Sequence, residues 1–193
     1  MNFLLDLLQG VGIGGASGVR PFLPALVTGA AASADVAVDF DGTAFAFMES
    51  PVFLIVLIFA ATITVALEQR GTIGEPISQA LLGIGVILGA LLGAASLDDR
   101  SDIWWPGLLA GGLAAVLLGL ATRSLLGRVK QRLEADEQGF LLIYSAGAAL
   151  GLVAASLLFP PLALVGVGVA VWLLLASRKR EGQKYAGLRI LNK

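Results

Sequence analysis

The chain has 193 residues, of which 57% are hydrophobic and 14% charged, with a net charge of −1 and a mean hydropathy of +0.87. A soluble domain is about 25% charged, so this composition points to lipid as the main solvent. Cysteine and histidine are absent, which excludes disulfides, thiol nucleophiles, Ser-His triads and imidazole or thiolate metal ligands.

The charge-free gaps mark the helices, in chain order. The first predicted helix covers about residues 3–31 and carries Arg20 in its middle. A straight helix of that length would be about 43 Å long, against a hydrocarbon core of about 30 Å. Gly14-Gly15, Gly18, Pro21 and Pro24 favour a break. A cleavable signal peptide ending at Ala32-Ser33-Ala34 is the competing reading, opposed by Asp6 and by the absence of Lys or Arg ahead of the apolar run. An acidic loop with Asp35, Asp39, Asp41 and Glu49 follows. Its spacing matches no EF-hand, so it reads as a solvated, translocated loop without a metal.

Further helices are predicted over 50–68, 76–97 and 103–123. The forty uncharged residues 138–177 are long enough for two spans, and Pro160-Pro161 divides them into helices 139–158 and 160–178. The reading is therefore an all-α, polytopic membrane protein with six spans and a single membrane domain over 1–193. Residues 179–193 form a basic cytoplasmic tail.

Six spans put both termini on one side. With that side cytoplasmic, eleven of the thirteen basic residues lie inside: Arg70, then Arg123 to Arg132, then the tail. Asp35, Asp39, Asp41, Glu49, Asp98, Asp99 and Asp102 lie outside with Arg100. This is the bias that the positive-inside rule requires, with Trp104 and Trp105 at the outer interface. The basic tail reads as a topology determinant beside anionic lipid, with no nucleic-acid partner.

Glycine recurs every four residues at Gly10, Gly14 and Gly18, at Gly85, Gly89 and Gly93, at Gly107 and Gly111, and at Gly147 and Gly151. Such faces let membrane helices pack closely, within a chain or between copies, so a homo-oligomer, and specifically a dimer, is expected. Three spans on each side of residues 98–102 suggest an inverted three-plus-three repeat, 1–97 against 103–178, as in transporters.

Arg20 stands out. A charge in the bilayer costs at least about 2.5–3.5 kcal/mol and marks a functional site by default. It sits in Ser17-Gly18-Val19-Arg20-Pro21-Phe22-Leu23-Pro24, where a broken helix would place free N–H groups beside a guanidinium, an anion-receptive arrangement. Three readings follow: an internal ion pair, with Glu68 or Glu75 as partner; a ligand site; or snorkelling to the interface. The candidate site is Arg20, Ser17, Gly18, Pro21, Pro24, Glu68 and Glu75. The intramembrane hydroxyls, Thr62, Thr64, Ser78, Ser145 and Ser156, form no catalytic set and are expected to bond helix backbones.

The Ser17–Pro24 stretch, with Glu68 closing the second helix and Glu75-Pro76 after a short loop, resembles the bacterial membrane family named domain of unknown function 4126. The resemblance implies a compact polytopic inner-membrane protein with no established activity; Gly71-Thr72-Ile73-Gly74 is less charged than the family pattern. The function expected is that of a small transporter, flippase or channel-like protein, not an enzyme. It would need no cofactor, and its partners would be membrane lipids and an anionic small molecule or lipid headgroup at Arg20. The alternative is a non-transporting scaffold or assembly factor packed through its glycine seams.

Overall fold

A computed structural model describes residues 3–101, 103–130 and 138–188. Among these, seven α-helices and one short 3-10 turn account for the regular structure, and there is no strand. The helices are α1 (Phe3–Val19), α2 (Phe22–Ala32), α3 (Pro51–Gln69), α4 (Glu75–Ser101), α5 (Trp105–Lys130), α6 (Gln138–Leu158) and α7 (Leu162–Leu188); the turn is Ala46–Glu49. Four helices are long and apolar enough to cross a membrane, Pro51–Gln69, Glu75–Asp98, Trp105–Val129 and Gly139–Leu158, and shorter apolar helices cover 3–19, 22–32 and 162–176. Large apolar side chains face outward along them, among them Val52, Phe59, Ile87, Leu113, Ile143 and Trp172. That is the inverse of a soluble fold and suits lipid as the surrounding medium.

Helix α1 is the axis of the bundle, packed against α4, α5, α6 and α7. Glycine makes this possible. Gly10 lies against Gly93, Gly14 against Gly89 and Gly111, and Ser17 against Gly85. A Cβ at Gly14 would stand 2.5 Å from the Gly89 carbonyl oxygen and 2.8 Å from Gly111 Cα; one at Gly18 would overlap the Ala115 carbonyl. The pairings make α1 antiparallel to α4 and parallel to α5. With little solvent-exclusion energy to gain in lipid, such close backbone contact is what holds the helices together. The glycine stripes of α1, α4 and α5 are thus used inside the chain. The α6 stripe is not: nothing lies within 4 Å of a Cβ at Gly147 or Gly151.

The break in the first segment is sharper than a kink. Helix α1 runs from the level of Gly93 towards that of Gly85. Helix α2 then returns: Ala25 and Ala32 join the core of Leu88, Leu92 and Ala95, and Gly29 sits against Met48 and Leu54. The two form a helical hairpin whose apex is Arg20-Pro21. Pro21 has ordinary helical angles (φ −57°, ψ −49°) and Pro24 falls in the first turn of α2, where a missing N–H removes no intrahelical bond. At about 1.5 Å per residue α1 is about 25 Å long and α2 about 17 Å, so neither reaches fully across a core of about 30 Å.

The hairpin changes three expectations. The single broken helix is two helices, so four helices precede Ile103 and three follow it, rather than three and three. The start of α1 lies at the end of the bundle that holds the α4–α5 turn. Helix α7, which starts beside Gly12 and packs Ala170 against Leu118 and Ala121, runs to the opposite end. The described chain therefore starts and finishes at opposite ends, not at one. The sorting of the loops is unaffected, because it depends only on the helices from α3 onward. Arg70, Arg123 and Arg128 share the end towards which α7 runs; Asp35, Asp39, Asp41, Glu49 and Asp98 share the other.

The acidic loop is not simply solvated. Val38, Phe40, Phe45 and Met48 are buried and pack onto the ends of α2 and α4. The Phe40 N–H donates to Glu49 Oε1, and the Ala44 N–H donates to Asp98 Oδ2 at 3.4 Å. Apolar residues placed between the acids make the segment a cap on that end.

A cavity at the apex of the helical hairpin

Glu68 and Arg20 are brought together by the ends of two helices. Helix α3 starts on Ser50, whose hydroxyl accepts from the Phe53 N–H at 3.3 Å, with Pro51 in the first turn. It ends at Gly71 (φ +65°), where the Gly71 N–H donates to the Glu68 carbonyl and the Thr72 N–H to the Leu67 carbonyl. This is a Schellman closure, and it needs a left-handed residue that glycine supplies without strain. The last turn of α3 is thereby fixed with Glu68 turned to the apex of the hairpin.

Arg20 follows the last residue of α1, where a cation is favoured by the helix dipole, and its side chain is 9% exposed. Its Nη1 donates to Glu68 Oε2 at 2.5 Å. Its Nε and Nη2 donate to Ser145 Oγ at 2.9 and 2.6 Å, and Nη2 also reaches the Leu142 carbonyl at 3.3 Å. Ser145 Oγ in turn donates to the Leu142 carbonyl at 3.0 Å. All three guanidinium nitrogens are engaged, the condition for holding a charge away from water. The internal ion pair is therefore formed, with Glu68. Arg20 is not at mid-depth: it lies level with the last turn of α3.

Beside this pair is a partly open cavity of about 610 Å³. Gly18, Arg20, Pro21, Glu68 and Glu75 line it, with Ser145 and Arg123 from α6 and α5. Ser17 and Pro24 do not. Ser17 is fully buried in the glycine seam, its Oγ without a hydrogen-bond partner among the described residues, and Pro24 is buried within α2. Glu75 is exposed and accepts from Gln79 Nε2 at 3.2 Å, so it is not Arg20's partner.

Three contributors escaped the sequence reading. Ser145 and the Leu142 carbonyl stand more than 120 positions from Arg20, and one serine in an apolar helix carries no mark of its partner. Arg123 counts in the sequence only as one of the cytoplasmic cations at the end of a helix, but α5 continues to Lys130 and turns Arg123 inward, where Nη2 donates to the Ser78 carbonyl. Other hydroxyls behave as expected: Thr62, Thr64 and Ser156 bond carbonyls four residues earlier on their own helices.

The described family "Domain of unknown function (DUF4126)" matches residues 7–180. The chain belongs to this family. The match takes in the hairpin, Glu68, Arg123 and Ser145, so the DUF4126 region contains the whole cavity. No curated protein and no solved structure matches the chain.

At the other end, carboxylate oxygens of Asp39, Asp41 and Glu49 lie within 4.8 Å of one another. Burial holds the Glu49 carboxyl above its ordinary value of 4.5; the Phe40 N–H opposes this, and the carboxylates of Asp41, Asp39 and Asp35 reinforce it. Such acidic groups are common on loop surfaces, and here they anchor the cap through Phe40.

Proposed function

We propose that this DUF4126 protein is a small transporter, flippase or channel-like protein of the bacterial inner membrane. In this reading an anionic group is received in the cavity beside Arg20. The observation that carries the reading is the cavity itself: about 610 Å³ of space reaching a buried arginine at the turn of a helical hairpin. Irregular backbone within membrane proteins is tolerated where it is buried or lines a cavity, and substrate sites of transporters form at interrupted helices. An incoming anion competes with Glu68 for Arg20, so binding exchanges one ion pair for another. The positive-inside rule assigns the Arg70–Arg123 end, and with it the cavity, to the cytoplasm. The C-terminal helix then ends in the cytoplasm and α1 begins on the opposite side.

The role is binding and movement rather than catalysis, since no histidine or cysteine is present to activate a nucleophile. The scaffold reading has one observation of its own: the exposed small-residue face of α6 at Gly147 and Gly151, which suits a homo-oligomer contact. The two readings separate in proteoliposomes holding the full chain. Flux of a panel of anions, or transbilayer movement of labelled lipid, that is lost in Arg20→Lys supports transport. Absence of both, with the protein folded, supports the scaffold.

A further inference from the structure

The cavity has a shape and a lining that select among anions. Helix α2 packs against both α3 and α6 and fills the space between them from the acidic end as far as Pro21. Beyond Pro21 that filler stops, while α3 continues to Gln69 on one side and α6 begins at Gln138 on the other. Among the described residues α3 packs chiefly on α2 and the 3-10 turn. Past the apex, the described hydrogen-bonding link between α3 and α6 is the Arg20 side chain, bonded to Glu68 on one and to Ser145 on the other. Among the described residues no other hydrogen bond bridges the two helices past the apex, which leaves the gap between them as a lateral way into the partly open cavity.

Its walls carry apolar and charged groups. Leu81, Leu82, Leu126 and Leu142 supply apolar surface, Arg20 and Arg123 supply cationic groups, and Glu68 and Glu75 supply carboxylates, the first paired with Arg20 and the second bonded to Gln79. Arg123 differs from Arg20 in its partners: among the described residues it has a neutral acceptor, the Ser78 carbonyl, and no carboxylate. A guanidinium that donates one bond to a carbonyl keeps donors for a phosphate. A small inorganic anion uses the cations and leaves the leucine walls bare. An acyl chain uses the walls and leaves the cations bare. A molecule with both parts satisfies both.

Resting on the anion-site reading above, we infer that the ligand is a phosphate-bearing anionic lipid, which enters between α3 and α6 with its headgroup towards Arg123 and its chains along the leucine wall. The Arg20–Glu68 pair is the latch that holds α3 against α6, and the headgroup phosphate competes with Glu68 for it.

The test uses the full chain in detergent micelles, offered phosphatidylglycerol, phosphatidylcholine or inorganic phosphate separately, with retention read by native mass spectrometry and thermal shift. The expected result is selective retention of phosphatidylglycerol, weakened about tenfold in Arg123→Gln, the equivalent of about 1.4 kcal/mol. Arg123→Gln removes the charge but leaves a polar side chain, and Arg123 takes no part in the buried Arg20 network. Equal retention of the two lipids, or phosphatidylglycerol binding indifferent to Arg123→Gln, overturns the inference. Binding of inorganic phosphate without phosphatidylglycerol also overturns it but leaves the anion site standing. Failure of all three ligands to bind removes both.

Discussion

Along α1, α4 and α5, a methyl group at Gly14, Gly18 or Gly93 would meet backbone atoms closer than 3.0 Å. Helix α3, by contrast, has only Leu57 and Thr64 buried and shows most of its length to the outside. The first region has no space to give, because backbone lies on backbone and no side chain can rotate away. The second is held by α2 and the capping loop over its first part and, past the apex of the hairpin, by the charged bridge from Arg20 to Glu68. A membrane protein that must admit a ligand needs both kinds of construction: a core that keeps its geometry and a helix that can leave it. The Arg20 hairpin joins the two, since α1 belongs to the seam and the Arg20 side chain belongs to α3 and α6.

Substitutions test that contrast. The largest effect is expected for Gly18→Leu. Its Cβ alone overlaps the Ala115 carbonyl, so α1 and α5 must separate, at a cost beyond the about 1–3 kcal/mol of ordinary overpacking. Folded yield in detergent should collapse; a stable, monodisperse Gly18→Leu protein would show that the seam is not rigid. Arg20→Ala comes next. It leaves Glu68 and Ser145 without their donor, and loss of one partner of a buried pair costs about 3–5 kcal/mol. Glu68 is 25% exposed, so the lower part of that range is expected. Adding Glu68→Ala should recover part of the melting temperature, and simple additivity would argue against the pair.

A smaller effect lies at the capping loop. The Glu49 carboxyl is held above 4.5 in the folded protein, so folding favours its protonated form. That contribution is complete below the unfolded value and is lost as pH rises through the higher folded value. Melting temperature should therefore fall slightly over that window, and Glu49→Gln, which keeps an acceptor for the Phe40 N–H, should flatten the profile. An unchanged slope would remove Glu49 as its source. The smallest effect is expected for Gly147→Ala on α6, where nothing lies within 4 Å of the added carbon. Its melting temperature should match the parent at micromolar dilution. A clear loss there would mean that another copy of the chain covers α6.

Much of this was legible in the residues. Uncharged stretches of about twenty residues follow from the thickness of lipid, and they located α3, α4 and α6 to within a few positions and the start of α5, whose end at Lys130 lies seven residues past the expected one. The break at Arg20 was legible because Gly18, Pro21 and Pro24 act on the local backbone. Glu68 was named as a partner because a buried cation needs an anion. The direction after the break was not legible. Local breakers state that a helix ends, and the packing of α2 against α3 and α4 decides where the chain goes next. The glycine stripes likewise marked small faces without saying which meet: those of α1, α4 and α5 interlock, and Gly147 and Gly151 on α6 remain uncovered within the chain. Ser145 and Arg123 were hidden for the same reason, since their roles depend on contacts between distant helices.

The central claim is that Arg20 latches a loosely packed α3 to α6 beside a rigid seam. Because the chain contains no cysteine, spin labels can be placed uniquely at the exposed positions Ala66 on α3 and Ala148 on α6, with a control pair at Ile87 on α4 and Leu113 on α5. Pulsed electron-paramagnetic-resonance distances in lipid nanodiscs, with Arg20 intact and in Arg20→Gln, test it directly. A longer and broader α3–α6 distance is expected in the variant, with an unchanged α4–α5 distance. An α3–α6 distribution that stays the same, or a control pair that moves with it, would contradict the latch.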